Sequence, residues 1–471
     1  MKISRIVSAP ALAGMVAVLS ACTHFSPDGG MQRVDALTRE RIGQNAVRDN
    51  SQTQTQTQAQ VRQLLSAPLS VDAAVSLALL NNKGSQATLA ELGIAEADLV
   101  QAGRLNNPRF SYGRLSGSGG AETDRSVMFD LAGLLTMPMR KAIEQRRFDQ
   151  AQLQTALQLV RLASDTRRAW YQAVAAQQSA IYLQQVHQAA LASAELAQRM
   201  AKAGNWSRLD EAREQVFQVE VSTQLARAEH HAIATRERLI RLLGLPDEQV
   251  PLQLPDRLPA LPEQMQPATE IEANAIARRL DVQVARMETE ATAQSLGLTR
   301  HTRFVNVLEA GYLNRSNADS SRDNGYQVEL SLPLFDWGTA RVQRAEAVYM
   351  RSLQRTADIA VQARSEARES YSLYRTQFEV AHRYRDEIVP LRKRVSDEVL
   401  LRYNGMLASV FELLTDARLQ ISSVNASIEA QRDFWIADAE LQFVMHGGSP
   451  AAASSANLST TVQTLPGSSG H

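Results

Sequence analysis

The feature that most constrains the fold is a very long stretch with no helix-breaking residue. Residues 139–203 contain neither glycine nor proline over 65 positions, and Gly204 ends the stretch. An α-helix of that length is about 98 Å long. Shorter helical segments lie on either side, at about 71–103 and 207–243. End to end they span about 105 Å, so this half predicts one long helix beside two short ones.

The second half of the chain repeats this layout. A helical segment covers about 268–300, a long one covers 339–403 with a single proline, and Gly405 ends it before helix resumes at about 408–445. Repeats of this kind have to be recognised before a fold is assigned. The sequence therefore predicts two helical hairpins, with Gly405 matching Gly204.

Short alternating segments separate the helices in both halves. They lie at about 107–115 and 125–138 in the first half and at about 303–313 and 326–335 in the second. Apolar residues alternate with polar ones most clearly around Leu330, as in a strand with one apolar face. Their length suits strands that cross a bilayer at a tilt.

Strands in lipid predict a shared β-barrel. An open sheet would leave backbone groups unpaired in the bilayer, and four strands are too few to close. Three copies of the chain would supply about twelve strands. Pro333 is tolerable at the rim, where ladder bonds end, and Asp336 or Thr339 is expected to cap the helix that follows.

The N-terminus predicts export and lipid attachment. Lys2 and Arg5 precede an apolar run that ends at Ala21, as in a signal peptide covering 1–21. The sequence Leu-Ser-Ala-Cys around Cys22 resembles a bacterial lipobox, with the cysteine as the acylated residue; the alternative is a buried cysteine behind a signal peptide that is cleaved elsewhere. In lipoproteins of this type Thr23 implies sorting to the outer membrane.

Composition marks the boundaries of the two halves. The predicted repeats cover 69–244 and 268–447. Three further segments are predicted to be a polar, extended, acylated tether at 22–68, a proline-rich linker at 245–267 and a disordered tail at 448–471. The chain has 50 basic and 50 acidic residues, so net charge gives no argument for nucleic acid as a partner.

An ordered set of motifs runs through both halves of the chain. The set comprises LPLFDWG at 332–338, AGNWSRLDEAREQ at 203–215, LIRLLGLP at 239–246, RYNG at 402–405 and LLTDARLQ at 413–420. This set resembles the TolC family of outer-membrane efflux channels. The resemblance implies a mainly α-helical chain with a membrane β-barrel. It also implies a homotrimer with a 12-stranded barrel and a 12-helix periplasmic tunnel. The tip of the tunnel would dock onto a membrane-fusion adaptor and an inner-membrane pump.

The resemblance also assigns residues to the tunnel end. Gly204, Arg208, Asp210 and Gly405 would form the tip that faces the adaptor. Members of the family often carry aspartates soon after the second glycine, lining a closed aperture. Here the nearest acids are Glu412 and Asp416, which become the candidate gate, with Arg402 or Arg418 as the bases that would hold them.

The predicted function is a passive exit duct rather than an enzyme. No catalytic constellation, cofactor motif or metal-ligand spacing is present, and the adjacent His230 and His231 would point to different faces of a helix. The predicted cargo is small molecules such as drugs, toxic compounds or metal ions. Two alternatives stay open, a duct for type I protein secretion and a structural periplasmic coiled-coil lipoprotein.

Overall fold

The structure of the chain is a computed structural model. It describes residues 24–46, 54–117, 120–245, 252–267, 271–304, 307–317, 321–331 and 334–450. The predicted signal peptide, Cys22 and the tail beyond residue 450 lie outside the described residues, as do Leu332 and Pro333. The chain divides into two compact units, which are described separately. The strand unit comprises residues 24–34, 89–155 and 282–360, and the hairpin unit comprises the other described residues.

The described elements follow the order predicted for two repeats. The helices are α1 (Met31–Ile42), α2 (Gln54–Leu64), α3 (Val71–Asn81), α4 (Lys83–Ala102), α5 (Leu131–Lys202), α6 (Arg208–Leu243), α7 (Ile271–Arg278), α8 (Leu280–Thr302), α9 (Thr339–Arg383), α10 (Val389–Asn404) and α11 (Val410–His446). The strands are β1 (Arg109–Gly117), β2 (Gly120–Asp130), β3 (Leu308–Ser316) and β4 (Arg322–Leu330). One π-helical turn, Tyr384–Ile388, joins α9 to α10 just before Pro390, where the proline removes a backbone donor.

In the strand unit the four strands form one antiparallel sheet in sequence order. The two hairpins of the repeats are joined by pairing between β2 and β3, where Val127 lies opposite Tyr312. Tyr312 in turn lies opposite Tyr326 on β4. Because side chains alternate across a strand, this register gives the sheet two faces of different chemistry.

One face of the sheet is apolar and open. We call it the apolar sheet face. Its members include Phe110, Tyr112, Val127, Phe129, Tyr312, Tyr326, Val328 and Leu330. Phe110 is 66% exposed and Tyr326 is 89% exposed. The other face carries ion pairs between neighbouring strands, from Arg315 Nε to Asp124 Oδ1 at 2.7 Å and from Arg109 to Glu309 at 3.2 Å. Leu330 and Glu329 therefore lie on opposite faces, as the alternation predicts.

The second strand is shorter than the sequence predicts. The expected strand over 125–138 ends at Asp130, and α5 begins at Leu131. Asp130 causes this early start, because its Oδ1 accepts the N–H of Gly133 at 2.7 Å and so caps the helix. Pro138 therefore lies inside a helix rather than at the end of the predicted strand.

The hairpin unit is held together by a core beside the centre of α5. Trp170 and Tyr171 of α5 lie in this core, and the Trp170 indole N–H donates to the carbonyl of Leu69 at 2.8 Å. Tyr171 stacks on Trp435 of α11 with 5.4 Å between ring centroids. Residues 252–267, in the predicted linker, contain no helix or strand. They are nevertheless packed, since Leu252, Leu254, Leu258 and Leu261 are buried.

The segment predicted as an extended tether is largely helical where it is described. It contains α1 and α2, and Val61 and Leu64 of α2 pack against the core of the hairpin unit. Glutamine has a good helix propensity, so a glutamine-rich segment becomes helical when a few of its apolar side chains pack against a hydrophobic core. In the strand unit, the Ser26 N–H donates to Glu96 Oε1 at 2.6 Å. The extended conformation predicted for this segment is therefore wrong for these residues.

The first residues of the predicted tail are also held in place. Arg279 is completely buried and forms ion pairs with Asp281 at 2.6 Å and with Glu366 at 2.8 Å. Ser449 donates its hydroxyl to the same Glu366 at 2.6 Å. Disorder was therefore the wrong prediction for residues 448 and 449, because the buried charge network binds Ser449 and the Gly448 N–H donates to the Phe443 carbonyl at 3.2 Å.

Candidate functional site: the ends of the two helical hairpins

The first hairpin reverses through Gly204, as the sequence predicts. Gly204 has φ 77°, which lies in the left-handed region that favours glycine. The Asn205 N–H then donates to the Met200 carbonyl at 2.9 Å, closing the end of α5. Ser207 caps the next helix by accepting the Asp210 N–H at 3.2 Å. The reversal is thus a glycine-ended helix followed by a serine-capped one.

The second hairpin has the same design with a different residue at the turn. Gly405 has φ −82°, and the left-handed residue is Met406 with φ 59°. The Leu407 N–H donates to the Arg402 carbonyl at 2.8 Å. The structural equivalent of Gly204 is therefore Met406 rather than Gly405, so the predicted pairing of the two glycines is displaced by one residue.

The predicted adaptor-facing residues have different roles within the chain. Asp210 is part of the cap, since its Oδ2 accepts the Ser207 hydroxyl at 2.7 Å. Its other oxygen lies 3.8 Å from Arg213. Arg208, the first residue of α6, is exposed, as are Gly204 and Gly405.

The sequence reasoning missed the apolar end of the second hairpin. Met406 is 94% exposed and Leu407 is 82% exposed. A non-glycine residue held at positive φ is uncommon and marks a position to examine for function. The available signal was the run Gly-Met-Leu directly after RYN at 402–404, which places two large apolar residues at a turn.

The two candidate gate acids lie in different environments. Glu412 is exposed in the first turn of α11, where its N–H donates to Ser409 Oγ at 3.2 Å. Asp416 is buried, and its Oδ2 accepts the hydroxyl of Ser396 on α10. Its place in the protomer is therefore a contact between antiparallel helices.

The bases expected to hold these acids have other partners. Arg402 Nε donates to Glu398 at 3.2 Å, one turn back on its own helix. The guanidinium of Arg418 lies over the ring of Phe217, 4.7 Å from its centroid. The structure thus brings neither guanidinium into an ion pair with Glu412 or Asp416.

The first hairpin contains the same pair of acids at equivalent positions. Asp210 and Glu214 follow their capping serine at the spacing of Glu412 and Asp416. Glu214 is 1% exposed, and its Oε2 accepts the hydroxyl of Ser193 on α5 at 2.7 Å. Each hairpin thus has one acid in the capped first turn and a second acid that joins its antiparallel helices.

A further acid is half-buried, away from the hairpin ends. Asp438 of α11 accepts the Gln442 amide at 2.9 Å, and burial raises the pKa of Asp438 to about 6. The nearby Arg167 lowers that pKa but does not offset burial. Burial also raises the pKa of Tyr171, and the charge of Asp438 adds to that effect.

Neither a membrane-spanning helix nor a metal-binding cluster is found in the part of the chain that the structure describes. It contains no helix that combines the length and apolar composition needed to cross a membrane. It also contains no cluster of three or more His, Cys, Asp or Glu side chains able to hold a metal ion.

Comparison with solved structures identifies the fold. The outer-membrane channel OprN is 17% identical, with a TM-score of 0.69 over 87% of this chain and 95% of that one. The Campylobacter jejuni CmeC outer membrane channel is 15% identical, with a TM-score of 0.71 over 80% and 86%. The Neisseria gonorrhoeae MtrE outer membrane channel, solved in its open state, is 15% identical, with a TM-score of 0.66 over 80% and 89%.

The chain has the fold of these outer-membrane channels. The resemblance predicted from its motifs is thereby confirmed at the level of the fold. No protein-family model matches the sequence, and no curated protein sequence matches it.

Proposed function

We propose that the chain is the outer-membrane exit duct of a tripartite efflux system. In this proposal it is a passive homotrimer that carries small molecules from an inner-membrane pump and a periplasmic adaptor to the outside. The observation that carries the proposal is the shared fold with outer-membrane channels over at least 80% of the chain. It supports a duct rather than an enzyme, because the three solved proteins compared above are channels.

The sheet supports the membrane part of the proposal. Its apolar sheet face would contact lipid, and the face with the Arg315–Asp124 pair would line the lumen. A sheet of four strands has two open edges, which three protomers would close into a barrel of twelve. Heat-modifiable migration on a gel, together with chemical crosslinking to a trimer, is the expected result.

Lipid attachment at Cys22 is a separate part of the proposal. The cysteine would be acylated and hold the chain at the outer membrane beside the barrel. Wild-type protein should incorporate radioactive palmitate, and Cys22→Ala should not. Wild-type protein that takes up no label would end the lipoprotein proposal and leave the barrel proposal standing.

The hairpin ends are the proposed docking and gating region. Gly204, Arg208, Asp210 and Gly405 would meet the adaptor, and the exposed Met406 and Leu407 add an apolar contact to that surface. Exposed apolar residues of this kind are typical of protein interfaces. Replacing Met406 and Leu407 together by serine should lower export without lowering the amount of trimer.

Glu412 and Asp416 remain the proposed gate, but the two acids would have different roles. A ring of three exposed Glu412 carboxylates would attract cations, whereas Asp416 would act by joining helices. In planar bilayers, Glu412→Gln should lower cation selectivity, and Asp416→Asn should mainly raise resting conductance. Asp210→Asn, in the equivalent turn of the other hairpin, is the matched control; equal effects from all three would contradict a gate in the second hairpin.

The deciding experiment is complementation of a host that lacks its own outer-membrane duct, with the neighbouring pump and adaptor genes supplied. Restored resistance to a panel of toxic compounds and metal ions would support efflux. Restored secretion of a protein without resistance would instead favour type I secretion. Failure of both, in cells that contain the protein but no heat-modifiable trimer, would favour a structural lipoprotein.

A further inference from the structure

The end of the second hairpin presents a methionine side chain to solvent. Met406 is 94% exposed. Among the methionines that the structure describes, the next most exposed are Met350 at 48% and Met265 at 37%, whereas Met128 is buried. Access of the reagent to the sulfur decides how readily a methionine is oxidised. Within the described residues, Met406 is therefore the methionine that an oxidant in solution meets first.

The turn itself holds this side chain outside the protein. Met406 has φ 59°, and its N–H donates to the Tyr403 carbonyl at 3.0 Å. The next N–H, that of Leu407, donates to the Arg402 carbonyl at 2.8 Å. Both are backbone bonds, so a chemical change at the sulfur leaves them in place. Oxidation of Met406 would therefore alter the surface of the hairpin end and not its fold.

The surface that would change is apolar. Leu407 is 82% exposed, so two adjacent apolar side chains face solvent at this turn. Oxidation converts the thioether of methionine into a sulfoxide, which is polar and accepts hydrogen bonds. Burial of such a group in an apolar contact without a donor is costly. The equivalent residue of the first hairpin is Gly204, which has no side chain to oxidise, so the site belongs to one hairpin end only.

We propose that Met406 is a reversible oxidation site through which hypochlorous acid weakens docking at the end of the second hairpin. In the net step an S–O bond forms and the O–Cl bond of hypochlorous acid breaks. The sulfur loses two electrons, and the chlorine gains them and leaves as chloride, while the proton passes to water. The loss of docking rests on the proposed function, since it requires a hairpin end that meets an adaptor.

Reversal of the oxidation needs a dithiol reductant. The dithiol gives two electrons to the sulfoxide and becomes a disulfide, and the oxygen leaves as water. Cys22 is the only cysteine of the chain, so the protein has no pair of thiols of its own for this step. The reductant must therefore be a separate enzyme of the methionine sulfoxide reductase class.

A peptide map tests the oxidation site directly. Purified full-length protein is treated with graded amounts of hypochlorous acid, and its peptides are examined by mass spectrometry for one added oxygen atom. Met406 should be oxidised at least about twofold faster than Met350, and Met128 should be the slowest of the three. A mixture of the two epimer-specific reductases should remove the oxygen from Met406. Equal or faster oxidation of Met350, or a sulfoxide at Met406 that the reductases leave in place, would overturn the site.

Export before and after oxidation tests the effect on docking. Cells that depend on this protein for export, with pump and adaptor supplied, are treated briefly with hypochlorous acid. The export of each variant is expressed as a fraction of its own value before treatment. Wild type and the matched control Met350→Leu should lose at least about half of their export. Met406→Leu, which is apolar but has no sulfur, should retain at least about twofold more than wild type.

The two experiments fail in different ways. Equal fractional losses in wild-type and Met406→Leu cells would overturn the effect on docking. Wild-type cells that export nothing before treatment would refute the proposed efflux function, whereas the peptide map would still decide whether Met406 is the oxidation site.

Discussion

The two repeats share one plan and differ in their buried polar groups. Each hairpin reverses through a left-handed residue and restarts with a capping serine followed by two acids. The left-handed residue is Gly204 in the first repeat and Met406 in the second. The first repeat leaves one oxygen of Glu214 without a partner, whereas Asp416 is bonded to Ser396.

These differences separate features that the fold requires in both repeats from features that are found in one hairpin only. Caps and left-handed turns recur because every helix end must satisfy its backbone groups. A methionine at positive φ and a buried unpaired carboxylate oxygen are costly, and the hairpin does not need them, since the equivalent position of the other hairpin lacks each one. Such positions are where function is to be sought.

The largest expected effect tests whether the strands of both repeats present the same sheet face to lipid. Phe129→Arg in β2 and Leu330→Arg in β4 should each impair assembly, because both lie on the apolar sheet face, and the cost should reach about 2–4 kcal/mol if the side chain lies near the bilayer midplane. Glu329→Arg should be tolerated, since it lies opposite Glu309 on the other face. Refolding into lipid vesicles measures the difference. Equal damage from Leu330→Arg and Glu329→Arg would contradict the assigned faces.

The next effect concerns a half-buried acid, Asp438, at a position where the other repeat has a different residue. By the offset of the capping serines, Asp438 corresponds to Arg236. Burial raises the folded pKa of Asp438 from 3.8 to about 6. The folded state therefore binds the proton more tightly, and stability should fall as pH rises from about 4 to about 6.

Asp438→Asn keeps the bond from Gln442 and removes the charge. At pH 7 it should raise the free energy of unfolding by about 2–3 kcal/mol and flatten this pH dependence. Chemical denaturation between pH 4 and pH 8 measures both effects. Asp433→Asn is the control, because Asp433 is paired with Arg432 at 2.8 Å on the same helix. An unchanged pH slope in Asp438→Asn would show that this acid is not the cause.

A smaller effect tests the different helix starts. Asp130 caps α5 through Gly133, whereas Asp336 bonds the N–H of Gly338 at 2.8 Å ahead of α9. Asp130→Ala should cost about 1 kcal/mol or more, because it also leaves the Asn106 amide without its carboxylate. Asp336→Ala should cost less. Hydrogen exchange at the first turns of α5 and α9 compares the two directly.

The smallest effect concerns the turn residues themselves. Met406→Gly should stabilise its hairpin by up to about 1 kcal/mol, and Gly204→Ala should destabilise the other by a similar amount, since only glycine adopts positive φ without strain. Thermal unfolding measures both. Loss of export in Met406→Gly despite higher stability would assign the methionine to docking. Stabilisation by Gly204→Ala would contradict the left-handed turn.

The sequence by itself determined the duplicated plan. The glycine- and proline-free stretch predicted α5, and the alternation predicted which residues share a sheet face, because both signals are periodic and local. The ordered motifs predicted the fold that the solved channels share. The reversal at Gly204 was also visible as local chemistry, whereas the predicted cap was not found there: Asp336 accepts the N–H of Gly338, the residue before α9, and Thr339 is the first residue of that helix.

Where local sequence signals favour different structures, only the tertiary structure decided which one forms. Residues 131–138, predicted as the second half of a strand, are helical. Asp130 caps α5 through Gly133, and the Asn106 amide donates to the Asp130 carboxylate and holds it in place. The polar segment near the N-terminus folded as helices because a core accepted Val61 and Leu64. The partner of Glu214 inside the chain, Ser193, lies on a different helix, and so does the donor to Asp416, Ser396. No sequence period records such contacts, since they depend on how antiparallel helices are set against one another after the turn.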